Sequence, residues 1–171
     1  AELEYRQNPT RKTLKKWSDV VFSTAEFLAS FAYYHPEKGE YVLGPPIVPV
    51  SENTKYGDTF NPTFELGYWR YGLKTAKTWY QRLDSMVPPP IDTVYQRLSP
   101  YPMEDSLYVL YEGIPDMWSK YTFEHPAIIG IYGMLPGDGV DRKVLENTFD
   151  KILSSWNFRR IWGWDFPMLA M

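Results

Sequence analysis

The chain contains no cysteine. That removes disulfides and thiolate metal sites, and with them the usual sign of redox compartment. Histidine occurs only as His35 and His125. With no H-E-x-x-H pair or clustered ligand spacing, no metal ion and no other cofactor is expected. The basic residues are dispersed and the formal net charge is −3, so the charged footprint that neutralises a phosphate backbone is missing and nucleic acid is not an expected partner. No apolar run approaches the roughly 18 to 20 residues that span a bilayer, and residues 1–20 are too charged for the apolar core of a signal peptide, so a membrane partner is not expected either. Short-period repeats, low-complexity tracts and dividing linkers are also absent, which leaves residues 1–171 to be read as a single domain.

Aromatic residues are in excess: 7 Trp, 14 Tyr and 9 Phe in 171 residues. Such side chains serve as bulky core and as stacking platforms, and sugar clefts use the second property. The remaining composition, 44% hydrophobic and 23% charged, is that of an ordinary globular chain.

Residues 9–34 carry Leu14, Trp17, Val21, Leu28 and Phe31 at intervals of three, four and seven. This predicts a helix capped by Asn8 with Pro9 at its first position. Its polar Arg11, Lys12, Lys15, Lys16 and Asp19 make it one-sided. A short strand is expected at residues 40–43, followed by a long ordered loop over 44–62, rich in Pro and Gly. Asn61 and Pro62 then open a helix running to about Leu83. It carries two apolar stripes, one through Leu66, Trp69, Leu73, Ala76 and Tyr80 and another through Phe64, Tyr68, Tyr71 and Trp79. A helix apolar nearly all round must be covered on both sides, like an inner helix of a two-ring toroid or the centre of a bundle.

Pro88, Pro89 and Pro90 are expected to forbid helix, with a short strand or extended crossover in 91–114. A short helix is predicted over 126–134, and Asp141 is predicted to cap a helix whose Val144, Leu145, Phe149 and Ile152 face a core. After Trp162-Gly163-Trp164-Asp165 the apolar residues 166–171 read as the first turns of another helix, and a partial domain is expected.

Two carboxylates stand out as candidates for glycosidic chemistry, which needs one protonated carboxyl for the leaving oxygen and a second group that activates water or attacks the anomeric carbon. Glu52, in Pro49-Val50-Ser51-Glu52-Asn53, is the preferred general acid because a Pro-rich loop can hold it at a cleft mouth; its bland alternative is a solvated loop glutamate. That role would require burial against apolar residues to raise its pKa. Glu65, near the start of the second long helix, could equally be answering the helix dipole. His125 suits a hydrogen bond to a sugar hydroxyl or a proton shuttle, against the alternative of a structural residue. Asp165 between Trp164 and Phe166 suits sugar hydroxyls with a stacking surface beside them, or a helix N-cap.

These features together resemble the catalytic domain of six-hairpin glycosidases, closest in pattern to the α-L-fucosidases of glycoside hydrolase family 95 and more distantly to the disaccharide phosphorylases of family 65. The matching residues are Val50-Ser51-Glu52-Asn53 after the first helix, His125 followed by Gly133-Met134-Leu135-Pro136-Gly137, and the Trp162-Gly163-Trp164-Asp165 segment. The last, continued by Phe166-Pro167, is similar to an uncharacterised bacterial branch of the superfamily. The sequence departs from the family 95 pattern in having Ser51 before the acid, with Pro49 two residues earlier, and a single His125 in place of a paired His pattern.

The resemblance implies an all-α fold, part of an (α/α)6 toroid of about three helical hairpins with long loops and a short β-strand pair. It implies an inverting glycoside hydrolase acting on an oligosaccharide or glycan side chain, secreted or periplasmic. Glu52 would be the general acid, with the water-activating base outside these residues. Asn53, Glu65, His125, Trp162, Trp164 and Asp165 would contact a carbohydrate substrate. The alternatives are a non-catalytic carbohydrate-binding α-toroid, which would lack the catalytic pair, and a phosphorylase, for which no compact basic cluster is present.

Overall fold

A computed structural model describes residues 1–171. The chain is mostly helical: α1 (Glu2–Gln7), α2 (Arg11–Phe31), α3 (Thr63–Arg82), α4 (Pro89–Arg97), α5 (Met117–Lys120), a 3-10 turn (Ala127–Ile131), α6 (Arg142–Ser155) and α7 (Asp165–Ala170). Two small antiparallel or hairpin-like pairs accompany them, β1 (Tyr33–His35) with β2 (Glu40–Val42) and β3 (Met103–Glu104) with β4 (Leu107–Tyr108). No helix is long and apolar enough to cross a membrane. The chain divides into two compact units, Ala1–Tyr41 with Trp69–Leu98, and Val42–Tyr68 with Ser99–Met171.

In the first unit α2 starts two residues later than the proline pattern predicts. Pro9 lies outside the helix, and the Thr10 hydroxyl caps it by accepting from the Thr13 N–H. Its one-sided character is confirmed: Leu14, Ala25, Leu28 and Ala29 are buried while the charged positions face out. Against Leu28 lies Gly72 of α3, where an added Cβ would sit 2.5 Å from Leu28 Cδ1, so the glycine permits the close approach. Trp69 Nε1 donates to the Leu28 carbonyl at 2.9 Å, and Phe22 stacks on Tyr80 with ring centroids 3.8 Å apart. Helix α1 is anchored by Glu2, which accepts from Arg82 at 2.7 and 3.1 Å and from Trp79 Nε1 at 2.8 Å. Those donors, Arg82 foremost, hold the Glu2 carboxyl down to about 2.

The expected barrier to helix at the triple proline does not hold. Helix α4 begins on Pro89 and Pro90, because prolines in a first turn surrender N–H groups that have no helical partner anyway. The extended reading survives only beyond it, in the β3–β4 hairpin, where Asp105 and Ser106 both take positive φ.

The second unit is organised around Asn61, which is fully buried at φ 48°. Rather than capping α3, its Oδ1 accepts from the Leu43 N–H at 2.9 Å and its Nδ2 donates to Ser99 Oγ at 3.1 Å and Glu112 Oε2 at 2.8 Å. The first intrahelical acceptor is instead the Pro62 carbonyl. Helix α3 buries one of its two apolar stripes, through Leu66, Leu73 and Ala76, but the expected cover on the other side is incomplete: Trp79 is fully buried while Phe64 and Tyr71 are half-buried and Tyr68 is 49% exposed. Asp141 caps α6 as expected, accepting from Lys143 and Val144 N–H groups. The segment predicted as a helix over 126–134 is the shorter 3-10 turn, wholly buried from Ala127 to Ile131.

Candidate functional site

The long loop over residues 44–62 is ordered from within. Its start requires Gly44, since at φ +63° a Cβ would lie 2.5 Å from Ile47 Cγ2 and 2.8 Å from the Thr59 carbonyl oxygen. Ser51, Thr54 and Thr59 turn inward and are buried, with Thr59 Oγ1 donating to Thr54 Oγ1 at 3.0 Å. Their neighbours turn outward. Glu52 is exposed and adopts φ 62°, a left-handed conformation that costs a non-glycine residue about 1–2 kcal/mol. The apolar cover that the sequence reading required around Glu52 is not supplied by these residues.

Two carboxyl groups, one half-buried and one buried, hold the loop that displays Glu52. Glu65, on the first turn of α3, accepts from the Val50 N–H at 2.6 Å. Burial pushes its carboxyl above the ordinary range, against the opposing effect of that hydrogen bond. The dipole explanation for Glu65 is therefore incomplete, because its oxygen is committed to a specific loop amide. Glu124 holds the other end: it is 2% exposed, and its Oε2 accepts from Asn53 Nδ2 at 2.5 Å. Its Oε1 is buried without a hydrogen-bond partner. Burial raises this carboxyl too, partly offset by Asn53 and by the charges of His125 and Arg160. Trp156 closes over the segment, donating from Nε1 to the Glu124 carbonyl at 2.7 Å.

Glu124 is the residue that sequence reasoning missed. Nothing in the local pattern distinguishes a buried glutamate from an exposed one.

The next residue turns to a separate cluster. His125 Nδ1 lies 2.9 and 3.1 Å from the two carboxylate oxygens of Asp165. That contact makes Nδ1 the protonated nitrogen and leaves Nε2 as the ring's other hydrogen-bonding atom. Asp165 Oδ2 also accepts from the Trp162 N–H at 2.9 Å. The expected capping role falls away: the N-cap of α7 is Trp164, and the buried carboxylate of Asp165 is spent on His125 and Trp162 instead. Trp164 meets the His125 ring edge-on at 5.4 Å and Trp162 lies nearly parallel to it at 6.4 Å. Both indoles are two-thirds exposed, an arrangement suited to stacking against a ligand.

A cavity of about 150 Å³ opens beside this pair, lined by His125, Asp165 and Trp164 together with Val50 of the loop and apolar residues of the 3-10 turn and α7. The structure thus brings His125, Trp164 and Asp165 to one pocket, with Trp162 stacked against the histidine. Val50 connects that pocket to the loop carrying Glu52 and Asn53. Neither Glu52 nor Asn53 lines the cavity itself. No group of three His, Asp or Glu side chains is placed to hold a metal ion. Comparison with models of protein families finds no match to this chain, and comparison with curated proteins finds none either.

Proposed function

We propose that the chain is part of an inverting glycoside hydrolase built on an (α/α)6 toroid, with Glu52 as general acid and the water-activating base outside these residues. The observation that carries the reading is the convergence of His125, Asp165 and Trp164 on one cavity, beside exposed Trp162 and next to the loop that presents Glu52 at positive φ. Aromatic surface beside a fixed hydrogen-bonding pair is what a site for a glycoside needs. Glu52 stands exposed on an internally anchored loop, within reach of a substrate that would itself have to supply the cover a general acid requires. Asn53, oriented by Glu124, and Glu65, holding Val50, keep that loop in place.

The test is hydrolysis of a panel of aryl and natural α-glycosides, fucosides included, by the full-length gene product and its Glu52→Gln variant. Loss of general-acid assistance lowers turnover by about 10²- to 10⁴-fold on unactivated leaving groups. The exposure of Glu52 favours one second reading, a carbohydrate-binding α-toroid that keeps the aromatic surface without catalysis. Sugar binding with no turnover, or an unimpaired Glu52→Gln enzyme, would select it.

A further inference from the structure

We infer that the cavity beside the His125–Asp165 pair receives a compact, uncharged aromatic group, the aglycone of a glycoside, and not a sugar ring. The inference deepens the glycosidase reading and rests on it for the word aglycone. Three features carry it. The first is size: the cavity measures about 150 Å³, and an apolar cavity of about that volume holds a benzene ring. The second is the wall, formed by Val50, Phe64, Ala127, Met134, Pro167 and Met168, which is nearly all carbon and sulfur. Thioethers and a phenyl ring make favourable contacts with an aromatic guest.

The third is the scarcity of polar partners. Asp165 is already committed through both oxygens to His125 Nδ1 and through Oδ2 to the Trp162 N–H. The His125 imidazole therefore offers a single remaining atom, Nε2. A pyranose carries several hydroxyls, and each one buried without a partner gives up its hydrogen bonds to water with nothing in exchange. A phenol, the released form of such an aglycone, needs only one strong hydrogen bond, which its O–H donates to the unprotonated Nε2. Trp162 does not line the cavity, and Trp164, which does, is two-thirds exposed, so both indoles leave surface on which a sugar face can stack in water.

The experiment is a titration of the full chain with phenol and, separately, with methyl α-D-glucopyranoside, followed by calorimetry and ligand-observed NMR. Phenol is expected to bind at least tenfold more tightly than the methyl glycoside. Val50→Phe, which fills the cavity from the loop side, should weaken phenol at least tenfold, and Met134→Trp, from an exposed lining position, should do the same. Thermal unfolding identifies which of the two variants keeps the native transition, and the comparison of the two ligands on the unmodified chain needs neither. Equal affinity for both ligands, or undiminished phenol binding in a folded cavity-filling variant, overturns the inference. Phenol binding without cleavage of any glycoside would remove the hydrolase and keep the aromatic site. Cleavage with equal kcat/KM for methyl and phenyl glycosides of matched leaving-group reactivity, and no phenol binding, would keep the hydrolase and remove the site.

Discussion

Replacing Glu124 by glutamine separates the two things this side chain does, accepting a hydrogen bond from Asn53 and carrying a proton in a buried place. Its folded pKa lies above the ordinary 4.5 because burial penalises the charged form. Below pH 4.5 both folded and unfolded chains hold the proton, and the stability of the neutral buried carboxyl is fully present. As pH rises from there towards the raised folded value, the unfolded chain gives up its proton first. The folded state then binds more protons, and stability falls by up to about 1.4 kcal/mol per pH unit for one group. Glu65, raised by the same cause, adds a second contribution of the same sign. Glutamine keeps an acceptor for Asn53 Nδ2 and has no proton to lose.

Glu124→Gln is therefore expected to lie within about 1 kcal/mol of the parent at pH 4.5, where only an isosteric oxygen-for-amide change remains. At higher pH it should become the more stable protein, because only the Glu65 part of the slope persists. Glu124→Ala removes the acceptor as well and leaves a hole, which costs about 2–4 kcal/mol at every pH. The bond from Trp156 survives both changes, since it ends on the Glu124 main-chain carbonyl. Urea denaturation at a series of pH values reads all three proteins. An identical pH slope for parent and glutamine variant would refute the buried neutral carboxyl, and a glutamine variant as weak as the alanine one would refute the acceptor role.

Asn61→Ala strips three buried hydrogen bonds, to Leu43, Ser99 and Glu112, and is expected to cost about 3 kcal/mol or more by chemical denaturation. Glu2→Gln tests the α1 anchor: the depressed pKa of about 2 means its stabilisation is present above 4.5 and is lost as pH falls through 2. After discounting for partial exposure, the substitution should cost about 1–2 kcal/mol at neutral pH and nothing at the acid limit, measured by the same denaturation series. Asp165→Ala releases both His125 Nδ1 and the Trp162 N–H. It should weaken ligand binding at the cavity at least tenfold in calorimetry while leaving α6 and its Asp141 cap intact by circular dichroism.

The helices most legible in the sequence are those whose signals are local. The three-and-four spacing of Leu14, Leu28 and their neighbours and the Leu66, Leu73 and Ala76 stripe of α3 translate directly into observed burial, and the Asp141 cap into its two hydrogen bonds, whereas Tyr68 of the second α3 stripe is exposed. The failures have identifiable causes. Asn61 and Asp165 both look like caps, since short polar side chains before a helix usually are. Each instead finds distant partners, Leu43, Ser99 and Glu112 for one and His125 for the other, that no local pattern reveals. Pro89 and Pro90 read as helix breakers because a sequence does not say whether a proline stands inside a helix or at its first turn.

For the candidate site the division is sharper. His125, Trp162, Trp164 and Asp165 are found together because aromatic and hydrogen-bonding residue types announce themselves by identity alone. The carboxylates do not sort that way, because whether a glutamate is solvated or buried is a tertiary property. Glu52, chosen for its loop, is exposed, while Glu124, passed over beside a histidine, is the buried partner of Asn53. The two facts are connected through the chain. Asn53 joins the exposed residue to the buried one by a peptide bond on one side and a 2.5 Å hydrogen bond on the other. Any force that Glu124 exerts on Asn53 is therefore transmitted to the backbone that sets the direction of Glu52. The pH dependence of Glu124 and the presentation of Glu52 should accordingly move together, and hydrolysis assayed over the same pH series with Glu124→Gln is the measurement in which that coupling would appear.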